Sequence, residues 1–275
     1  MKKQNLITKI LVYVILGLFF IFTIFPLLWL LSLSLKTQIQ AFSNPPILIF
    51  KPTSENYINL IFASGFLKNF LNSLIIAISS TVVALVIGAP AAYGMLHLKR
   101  KNRSRLFVLT LLTRMAPSMT YIIPFFIVFS KFGLIDTRFA LVVAYQTFAL
   151  PMVIIIMRSF FLEIPRSLEE AARIDGATKR ETFIKVILPV SAQGLVSTAI
   201  LTFILCWNEF IFALVLTRRH AATAPIGITN LMQYEGTLWG QMGAGAIILM
   251  IPSILISVLV GKYIAKGLMA GAIKG

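Results

Sequence analysis

The acidic side chains of this chain are few, and most of them lie in one polar segment, residues 163–189. Its central part, 169–177, combines three carboxylates with small residues that let another backbone approach closely; these are Glu169, Glu170, Ala171, Ala172, Asp175, Gly176 and Ala177. The carboxylates offer such a partner hydrogen bonds and ion pairs. A lipid surface is the alternative partner, but anionic headgroups would repel these acidic groups. The segment therefore favours docking to a protein.

The expected local structure of this segment is a short helix–turn–helix. Ser167 and Glu170 have the spacing of a capping box, and so do Thr178 and Glu181. Between the two boxes, Gly176 can adopt the left-handed conformation that ends many helices. The pattern thus predicts two short helices that project between two long apolar stretches.

A second polar group lies within an apolar stretch near the middle of the second half of the chain, at Asn208 and Glu209. An ionisable side chain inside a membrane costs roughly 2–3 kcal/mol, so Glu209 is expected to face the interior of a bundle or a cavity. Thr202 lies on the same helical face. These three residues could hydrogen-bond the hydroxyls of a solute along a translocation path. A structural hydrogen bond between helices is the alternative, and the sequence leaves both open.

The chain lacks the common motifs of an enzyme or of a nucleotide-binding site. It contains neither HExxH, nor GxSxG, nor the GxxxxGK[ST] loop that cradles phosphates. The single Cys206 excludes an internal disulfide bond, and His97 and His220 lack the neighbours that a metal site needs. Both histidines are predicted to be surface residues. The sequence therefore predicts no catalytic, cofactor or metal site in this chain.

The elements that must position these groups are transmembrane helices. Of the 275 residues, 58% are apolar and only 12% are charged, and the mean hydropathy is +0.90. A soluble domain of this length carries about a quarter charged residues. Six apolar stretches are each close to the roughly 20 residues that a spanning helix requires: 10–35, 69–96, 106–130, 139–157, 190–217 and 236–261. We predict an all-α, polytopic membrane protein with six transmembrane helices in a single domain over 1–275, and a cytoplasmic loop over 158–189.

The formal net charge of +16 indicates the orientation of these spans. If the N-terminus is cytoplasmic, 17 of the 25 Lys and Arg residues fall on the cytoplasmic side, as the positive-inside rule requires. The basic residues are then topology determinants and contacts for anionic lipid rather than a nucleic-acid interface. Both termini are predicted to be cytoplasmic, and residues 36–68 and 218–239 to be outside the cell membrane.

Several motifs resemble one known family, the maltose-type permease subunits of carbohydrate ABC importers. The segment LEEAARIDGA (168–177) is similar to the family's cytoplasmic EAA loop. PTSENY (52–57), Asn72-Ser73, WNEF (207–210) and the C-terminal GLMAGAIKG also resemble this family. The segment AQG (192–194) departs from the family, because it lacks the proline that usually precedes this glycine. The sequence therefore does not decide whether the fifth helix bends at its start.

The resemblance implies a function and a set of partners. Residues 167–178 would form a coupling helix that docks on a separate pair of ATP-binding subunits, which would bind ATP and Mg²⁺ and perform the hydrolysis. The other implied partners are a second, homologous permease subunit and an extracytoplasmic solute-binding protein that reaches the loop 218–239. The implied location is the inner or cell membrane of a bacterium or archaeon, and the implied substrate is a sugar.

Two other functions are weighed against this one. An ABC permease for another solute, such as a glycerol-phosphate diester, would share the same motifs. An ion-coupled secondary carrier would be expected to contain several intramembrane acids and an internal repeat. The sequence has one such acid, Glu209, and no detectable repeat.

Overall fold

The computed structural model describes residues 6–233 and 236–272, with side chains over 9–232 and 236–258. Within these residues the chain is almost entirely helical, with one antiparallel pair of two-residue strands, β1 (Met232–Gln233) and β2 (Gly236–Thr237). The helices are α1 (Leu6–Ser34), α2 (Gln38–Ala41), α3 (Glu55–Ile58), α4 (Phe66–Leu96), α5 (Arg100–Met115), α6 (Ser118–Lys131), α7 (Arg138–Leu162), α8 (Arg166–Ile174), α9 (Lys179–Thr182), α10 (Leu188–Val190), α11 (Ala192–Trp207), α12 (Ile211–Leu216), α13 (Ala224–Thr229) and α14 (Trp239–Ala272), and two π-helical turns cover Asn59–Ala63 and Phe183–Ile187. The all-α prediction is confirmed. The last three residues of the predicted C-terminal motif lie outside the described residues.

Four helices in the described part of the chain are long and apolar enough to cross a membrane. They are Lys9–Ser34, Phe66–Leu96, Arg138–Leu162 and Trp239–Val258. Two further pairs of helices pass the same test together but are strongly bent, by 87° between α5 and α6 and by 78° between the α9–α10 segment and α11. Counting each bent pair as one span gives up to six spans in the described residues. Five of them overlap the predicted stretches closely, whereas the pair Lys179–Trp207 starts inside the loop predicted over 158–189.

The bend between α5 and α6 follows from a proline. Pro117 precedes the first residue of α6 and lacks the N–H that would continue the ladder of α5. The residue before it, Ala116, is extended (ψ 130°), as steric contact with the proline ring favours. The apolar stretch 106–130 is therefore divided at the proline into two helices.

The fifth apolar stretch also differs from its prediction, which was a continuous helix over 190–217. The chain bends at Ser191, whose hydroxyl donates to the carbonyl of Ile187 at 2.7 Å. This bend forms even though the AQG segment lacks the family's proline. A second interruption, at 208–210, separates α11 from α12.

The chain divides into two compact units, of which the first contains residues 1–67 and 227–251. In its described part, buried Asn56 donates its side-chain amide to the carbonyls of Ser34 at 2.9 Å and Lys36 at 2.7 Å, which anchors the end of α1. A Cβ added at Gly240 would lie 2.5 Å from the Asn56 amide. Asn56 belongs to the PTSENY motif, so this part of the motif has a packing role.

The second unit contains residues 68–226 and 252–275 and carries both candidate sites. Helix α7 lies at its centre, with α5 and α11 packed against it. Two glycines permit close approach: a Cβ on Gly88 would lie 2.7 Å from Val153, and a Cβ on Gly194 would lie 2.5 Å from the ring of Phe160. Small residues at such contacts are the usual means of packing membrane helices.

Candidate functional site

The polar segment between α7 and α11 forms the predicted helix–turn–helix, with one correction at its start. Helix α8 begins at Arg166, and Pro165 occupies the N-cap position without a side-chain capping bond. The predicted capping box of Ser167 and Glu170 is therefore wrong. The physical reason is that Pro165, with its φ fixed at −59°, already directs the chain into the helix before Ser167 is reached.

The turn after α8 agrees with the sequence prediction. Gly176 has a φ of +82°, the left-handed conformation in which glycine is favoured. Beyond it, the Thr178 hydroxyl accepts from the backbone N–H of Glu181, and the Glu181 carboxylate accepts from that of Thr178. This second capping box is confirmed, and it fixes the direction in which the chain returns towards the membrane.

The seven predicted docking residues divide between an outer tip and an inner face. Glu170, Ala171, Asp175 and Gly176 are exposed, whereas Ala177 is half-buried. Ala172 is buried, at 8% exposure, and Glu169 is turned towards the rest of the unit. Ile174, which is not among the predicted docking residues, is 86% exposed at the tip. An exposed apolar side chain among small residues suits a surface that another protein covers.

The inner face of α8 is attached to the end of α4 by a histidine. His97 Nε2 lies 2.9 Å from Glu169 Oε2, and His97 Nδ1 lies 3.0 Å from the backbone oxygen of Tyr93. The Tyr93 ring stacks on Phe183, with ring centroids 4.9 Å apart. The contact of His97 with Glu169 and the stacking of Tyr93 on Phe183 therefore connect the end of α4 to residues 163–189, the predicted coupling segment.

His97 is exposed, as the sequence predicts, but its contact with Glu169 makes it a functional candidate that the sequence prediction did not include. The side chain is 31% exposed and that of Glu169 is 23% exposed. A separation of 72 residues gives no periodic or spacing signal for the pair.

A charged cavity of about 440 Å³ adjoins this contact. Its lining includes three arginines, His97 and two carboxylates, at positions Arg103, Arg166, Glu169, Glu170 and Arg173. Positive and negative groups are mixed, so the cavity has the polarity of an interfacial protein surface rather than of a lipid-facing groove. Among the described residues no group of three His, Cys, Asp or Glu side chains could hold a metal ion.

The second candidate site, the predicted translocation path, is divided by the break after α11. Asn208 ends α11, and its side-chain amide donates to the carbonyl of Ile204 at 2.9 Å. The Glu209 carboxylate accepts from the backbone N–H groups of Phe212 at 2.8 Å and Ala213 at 3.3 Å. It therefore caps the start of α12, and this bonding explains why the predicted continuous helix is interrupted here.

Thr202 lies apart from the surface that a solute could reach in this conformation. It is fully buried in the unit, on the face of α11 that packs against α7. One turn earlier on that face, Thr198 donates to Met157 Sδ of α7 at 3.4 Å. Asn208, by contrast, is exposed. The three predicted path residues thus lie in different environments. Thr202 is buried, Glu209 caps α12, and Asn208 is exposed.

The comparisons with known proteins agree on one family. Residues 84–269 match the family of binding-protein-dependent transport system inner membrane components. The chain is 40% identical over 258 residues to the trehalose transport system permease protein SugB of Mycobacterium tuberculosis, covering 92% of this chain and 93% of SugB. It is 35% identical over 277 residues to the trehalose/maltose transport system permease protein MalG of Thermococcus litoralis, covering 99% of both chains.

Solved structures share the fold. A chain of a bacterial ABC transporter involved in the import of the acidic polysaccharide alginate superposes with a TM-score of 0.80 at 23% identity, covering 96% of this chain and 99% of that chain. A chain of the MetNI methionine ABC transporter gives a TM-score of 0.61 at 21% identity, covering 78% and 99%. Since the family match covers most of the chain and two relatives exceed 30% identity over nearly all of it, the chain belongs to the family of binding-protein-dependent transport system inner membrane components.

Proposed function

We propose that this chain is the membrane-spanning permease subunit of an ATP-driven ABC importer for a sugar or oligosaccharide. Family membership supports this proposal, as does the similarity to SugB, a trehalose transport permease, and to MalG, a trehalose/maltose transport permease. The structural observation that carries it is an exposed tip formed by the end of α8 and by Gly176. Helix α8 is attached to the spanning helix α4 through the contact of Glu169 with His97. Such a tip can dock on a separate ATPase and pass its movement into the membrane.

The geometry suggests how that movement is passed on. The docking residues of the tip are Glu170, Ala171, Asp175 and Gly176, and an ATPase that moves this tip also displaces the inner face of α8. Glu169 on that face is bonded to His97 at the end of α4. Displacement of α8 therefore acts on α4 directly, and through the bend at Ser191 it acts on α11. Packed helices tend to move between discrete arrangements, which suits alternation between inward-facing and outward-facing states.

The remaining partners follow from the same proposal. A separate pair of subunits supplies ATP and Mg²⁺ binding, since this chain contains no phosphate-cradling loop. A second, homologous permease completes the path, and an extracytoplasmic solute-binding protein delivers the solute. We place the chain in a bacterial or archaeal cell membrane with both termini in the cytoplasm, as the distribution of basic residues favours.

Within the path, Asn208 is our candidate for solute contact. Its exposed amide can hydrogen-bond a sugar hydroxyl, whereas the carboxylate of neighbouring Glu209 is occupied by the backbone of α12. Thr202 could join the path only if α11 moved away from α7. We therefore assign Glu209 and Thr202 structural roles in this conformation.

The proposal is tested by reconstituting the complete complex in proteoliposomes and measuring uptake of labelled trehalose and maltose. Uptake that requires ATP and persists in the presence of ionophores is expected. Uptake that needs no ATP and collapses with ionophores would instead identify a secondary carrier. Competition by glycerol-phosphate diesters, without competition by either sugar, would assign the other ABC substrate class.

A further inference from the structure

The charged cavity beside the coupling segment lies between the inner face of α8 and the adjoining ends of α4 and α5. Its volume of about 440 Å³ is within the range of roughly 300–1,000 Å³ that small-molecule sites occupy. Its walls include His97 at the end of α4, Arg103 near the start of α5, and three residues of α8, Arg166, Glu169 and Arg173. These three are spaced three and four positions apart, so they share one face of the helix.

Three guanidinium groups line this cavity without a carboxylate partner. Neither Arg103, Arg166 nor Arg173 forms an ion pair with any residue that the structure describes. Of the carboxylates in the lining, Glu169 is already bonded to His97 at 2.9 Å. A guanidinium group binds phosphate through paired N–H donors in a planar fork. Unpaired arginines around one cavity therefore favour a phosphate-bearing ligand.

The start of α5 adds positive charge to the same corner of the molecule. Its N-cap residue, Lys99, makes no side-chain capping bond, and its first turn contains no acidic residue. Arg100, Lys101 and Arg103 lie there instead, where positive side chains oppose the positive end of the helix dipole. An anion bound beside Arg103 relieves this repulsion, so the local electrostatics support the same ligand class as the lining of the cavity.

The acceptors in the lining indicate which other groups the ligand carries. The carboxylates of Glu169 and Glu170 repel a phosphate, but they accept hydrogen bonds from hydroxyl groups. A phosphate ester with neighbouring hydroxyls matches both the arginines and the carboxylates. A phosphorylated sugar has this chemistry, and so does the headgroup of phosphatidylglycerol.

A ligand in this cavity connects two elements that move relative to each other under the proposed function. Arg103 contacts it from α5, and Arg166 and Arg173 contact it from α8, the helix that an ATPase displaces. A ligand that binds one arrangement of these elements more tightly than the other shifts the population towards it. Occupancy of the cavity therefore opposes displacement of α8.

We propose that the cavity lined by Arg103, Arg166 and Arg173 is a regulatory site for a small phosphate ester with neighbouring hydroxyls, which slows transport when it is bound. This inference rests on the proposed function and adds regulation at the coupling segment. A reaction that phosphorylates the imported sugar produces a ligand of this class. The site then links the rate of import to the amount of phosphorylated sugar in the cytoplasm.

The binding test uses the complete complex in nanodiscs of phosphatidylcholine, a lipid without net charge. The probe is glucose 6-phosphate, with glucose as its uncharged control, and binding is measured by isothermal titration calorimetry. Arg103→Gln is expected to raise the Kd of glucose 6-phosphate by about tenfold. Arg103→Lys should have a smaller effect, since it keeps the charge and loses the planar fork.

Arg105→Gln is the matched control for the loss of charge. Arg105 is an exposed basic residue two positions further along α5, and it is not part of the cavity lining in the described structure. Its replacement should change the Kd by less than about twofold. If Arg103→Gln and Arg105→Gln weaken binding equally, the attraction is unspecific and the proposed site is overturned.

Regulation is measured in proteoliposomes that enclose ATP with or without glucose 6-phosphate, with labelled sugar outside. Uptake should fall several-fold with the enclosed probe in the wild type and in Arg105→Gln, and should stay unchanged in Arg103→Gln. Enclosed glucose should have no such effect. Binding that depends on Arg103 without any effect on uptake would overturn the regulatory role.

Phosphatidylglycerol distinguishes the two sources of the phosphate. If this lipid slows uptake in the wild type but not in Arg103→Gln, and glucose 6-phosphate has no effect, the lipid headgroup is the ligand of the site. If neither compound acts through Arg103, the site is overturned, even where ATP-dependent uptake supports the importer. A wild-type complex without ATP-dependent uptake, but with binding that depends on Arg103, would contradict the proposed function and leave the phosphate site intact.

Discussion

His97 Nε2 lies 2.9 Å from Glu169 Oε2, across a separation of 72 residues, and the contact joins the end of α4 to the inner face of α8. The other ring nitrogen, Nδ1, faces the carbonyl of Tyr93 at 3.0 Å. A carboxylate of the coupling segment thus acts inside the subunit rather than on its outer surface.

Replacing His97 by leucine is expected to weaken the transfer of movement from α8 to α4. A partly exposed, charge-assisted hydrogen bond is worth roughly 1 kcal/mol, so the effect should be several-fold rather than complete. The measurement is the number of solute molecules transported per ATP hydrolysed in proteoliposomes, which should fall while the complex still assembles. An unchanged ratio in His97→Leu would show that the contact only packs the two elements.

Glu169→Gln provides the matched control for this contact. The amide can still donate to a neutral imidazole at Nε2, whereas Glu169→Leu cannot. The glutamine variant is therefore expected to lie close to the wild type, and the leucine variant to resemble His97→Leu. A double variant, His97→Leu with Glu169→Leu, should be no worse than either single change if the two residues act as one unit.

Gly176 allows its conformational role to be separated from a docking role. Its φ of +82° strains any residue with a Cβ, but asparagine tolerates this region, and the space around the glycine is open. If Gly176 served only the turn, Gly176→Asn would transport normally. We expect Gly176→Asn and Gly176→Asp to insert into the membrane but to lose uptake and solute-stimulated ATPase activity, because a side chain obstructs the docking tip.

Gly65 is the matched control for this substitution. It has a similar φ, +73°, with open space around it, and it lies far along the chain from the coupling segment. Gly65→Asn is expected to retain uptake. If Gly65→Asn and Gly176→Asn lose uptake equally, the loss reflects backbone strain and gives no support to docking at Gly176.

The contact of Gly194 with Phe160 predicts a specific packing defect. A Cβ at Gly194 would lie 2.5 Å from the ring of Phe160, so Gly194→Ala must displace that ring or the helix. Overpacking of this kind costs about 1–3 kcal/mol. The thermal midpoint of the detergent-purified protein should fall for Gly194→Ala. It should recover in part when Phe160→Leu is added.

Gly94 tests whether this loss is specific to the contact. It also lies within a helix, but a Cβ there meets nothing within 4 Å. Gly94→Ala is expected to be neutral or slightly stabilising, because alanine favours helix over glycine by about 1 kcal/mol. A similar loss of stability in both variants would contradict the packing interpretation.

The Asp136 carboxylate accepts hydrogen bonds from four consecutive backbone N–H groups in residues 218–221, at 2.9 to 3.1 Å, so its pKa sets the pH range over which this loop stays anchored. Folding lowers this pKa from its ordinary value of 3.8 to about 2, so the stabilisation is fully present above about pH 4 and is lost as the pH falls towards 2. At neutral pH, Asp136→Asn reproduces the loss of charge. Hydrogen exchange at the amides of 218–221 is expected to accelerate in this variant and to remain slow in the wild type down to about pH 4.

The parts of this structure that the sequence predicted depend on local patterns. The apolar stretches, the capping box of Thr178 and Glu181, and the left-handed Gly176 each require only neighbouring residues. The contacts of His97 with Glu169 and of Asp136 with Arg218 join residues 72 and 82 positions apart, so no periodicity in a single sequence reports them. The sequence does not predict the break at 208–210. Its cause is that Glu209 caps α12, and in the sequence this residue is indistinguishable from an acid inside one long apolar helix.

Asn208 and Glu209 provide the last prediction, which separates solute contact from structure. Glu209→Ala removes the cap of α12 and should lower stability by about 1 kcal/mol, whereas Glu209→Gln keeps one acceptor and should lose less. Neither change should alter the KM for sugar, since both oxygens face backbone N–H groups. Asn208→Ala should raise KM several-fold without loss of stability, because its amide is exposed. An unchanged KM in Asn208→Ala, together with a raised KM in Glu209→Gln, would reverse these roles. It would require that the Glu209 carboxylate leaves the backbone N–H groups of α12 when solute binds.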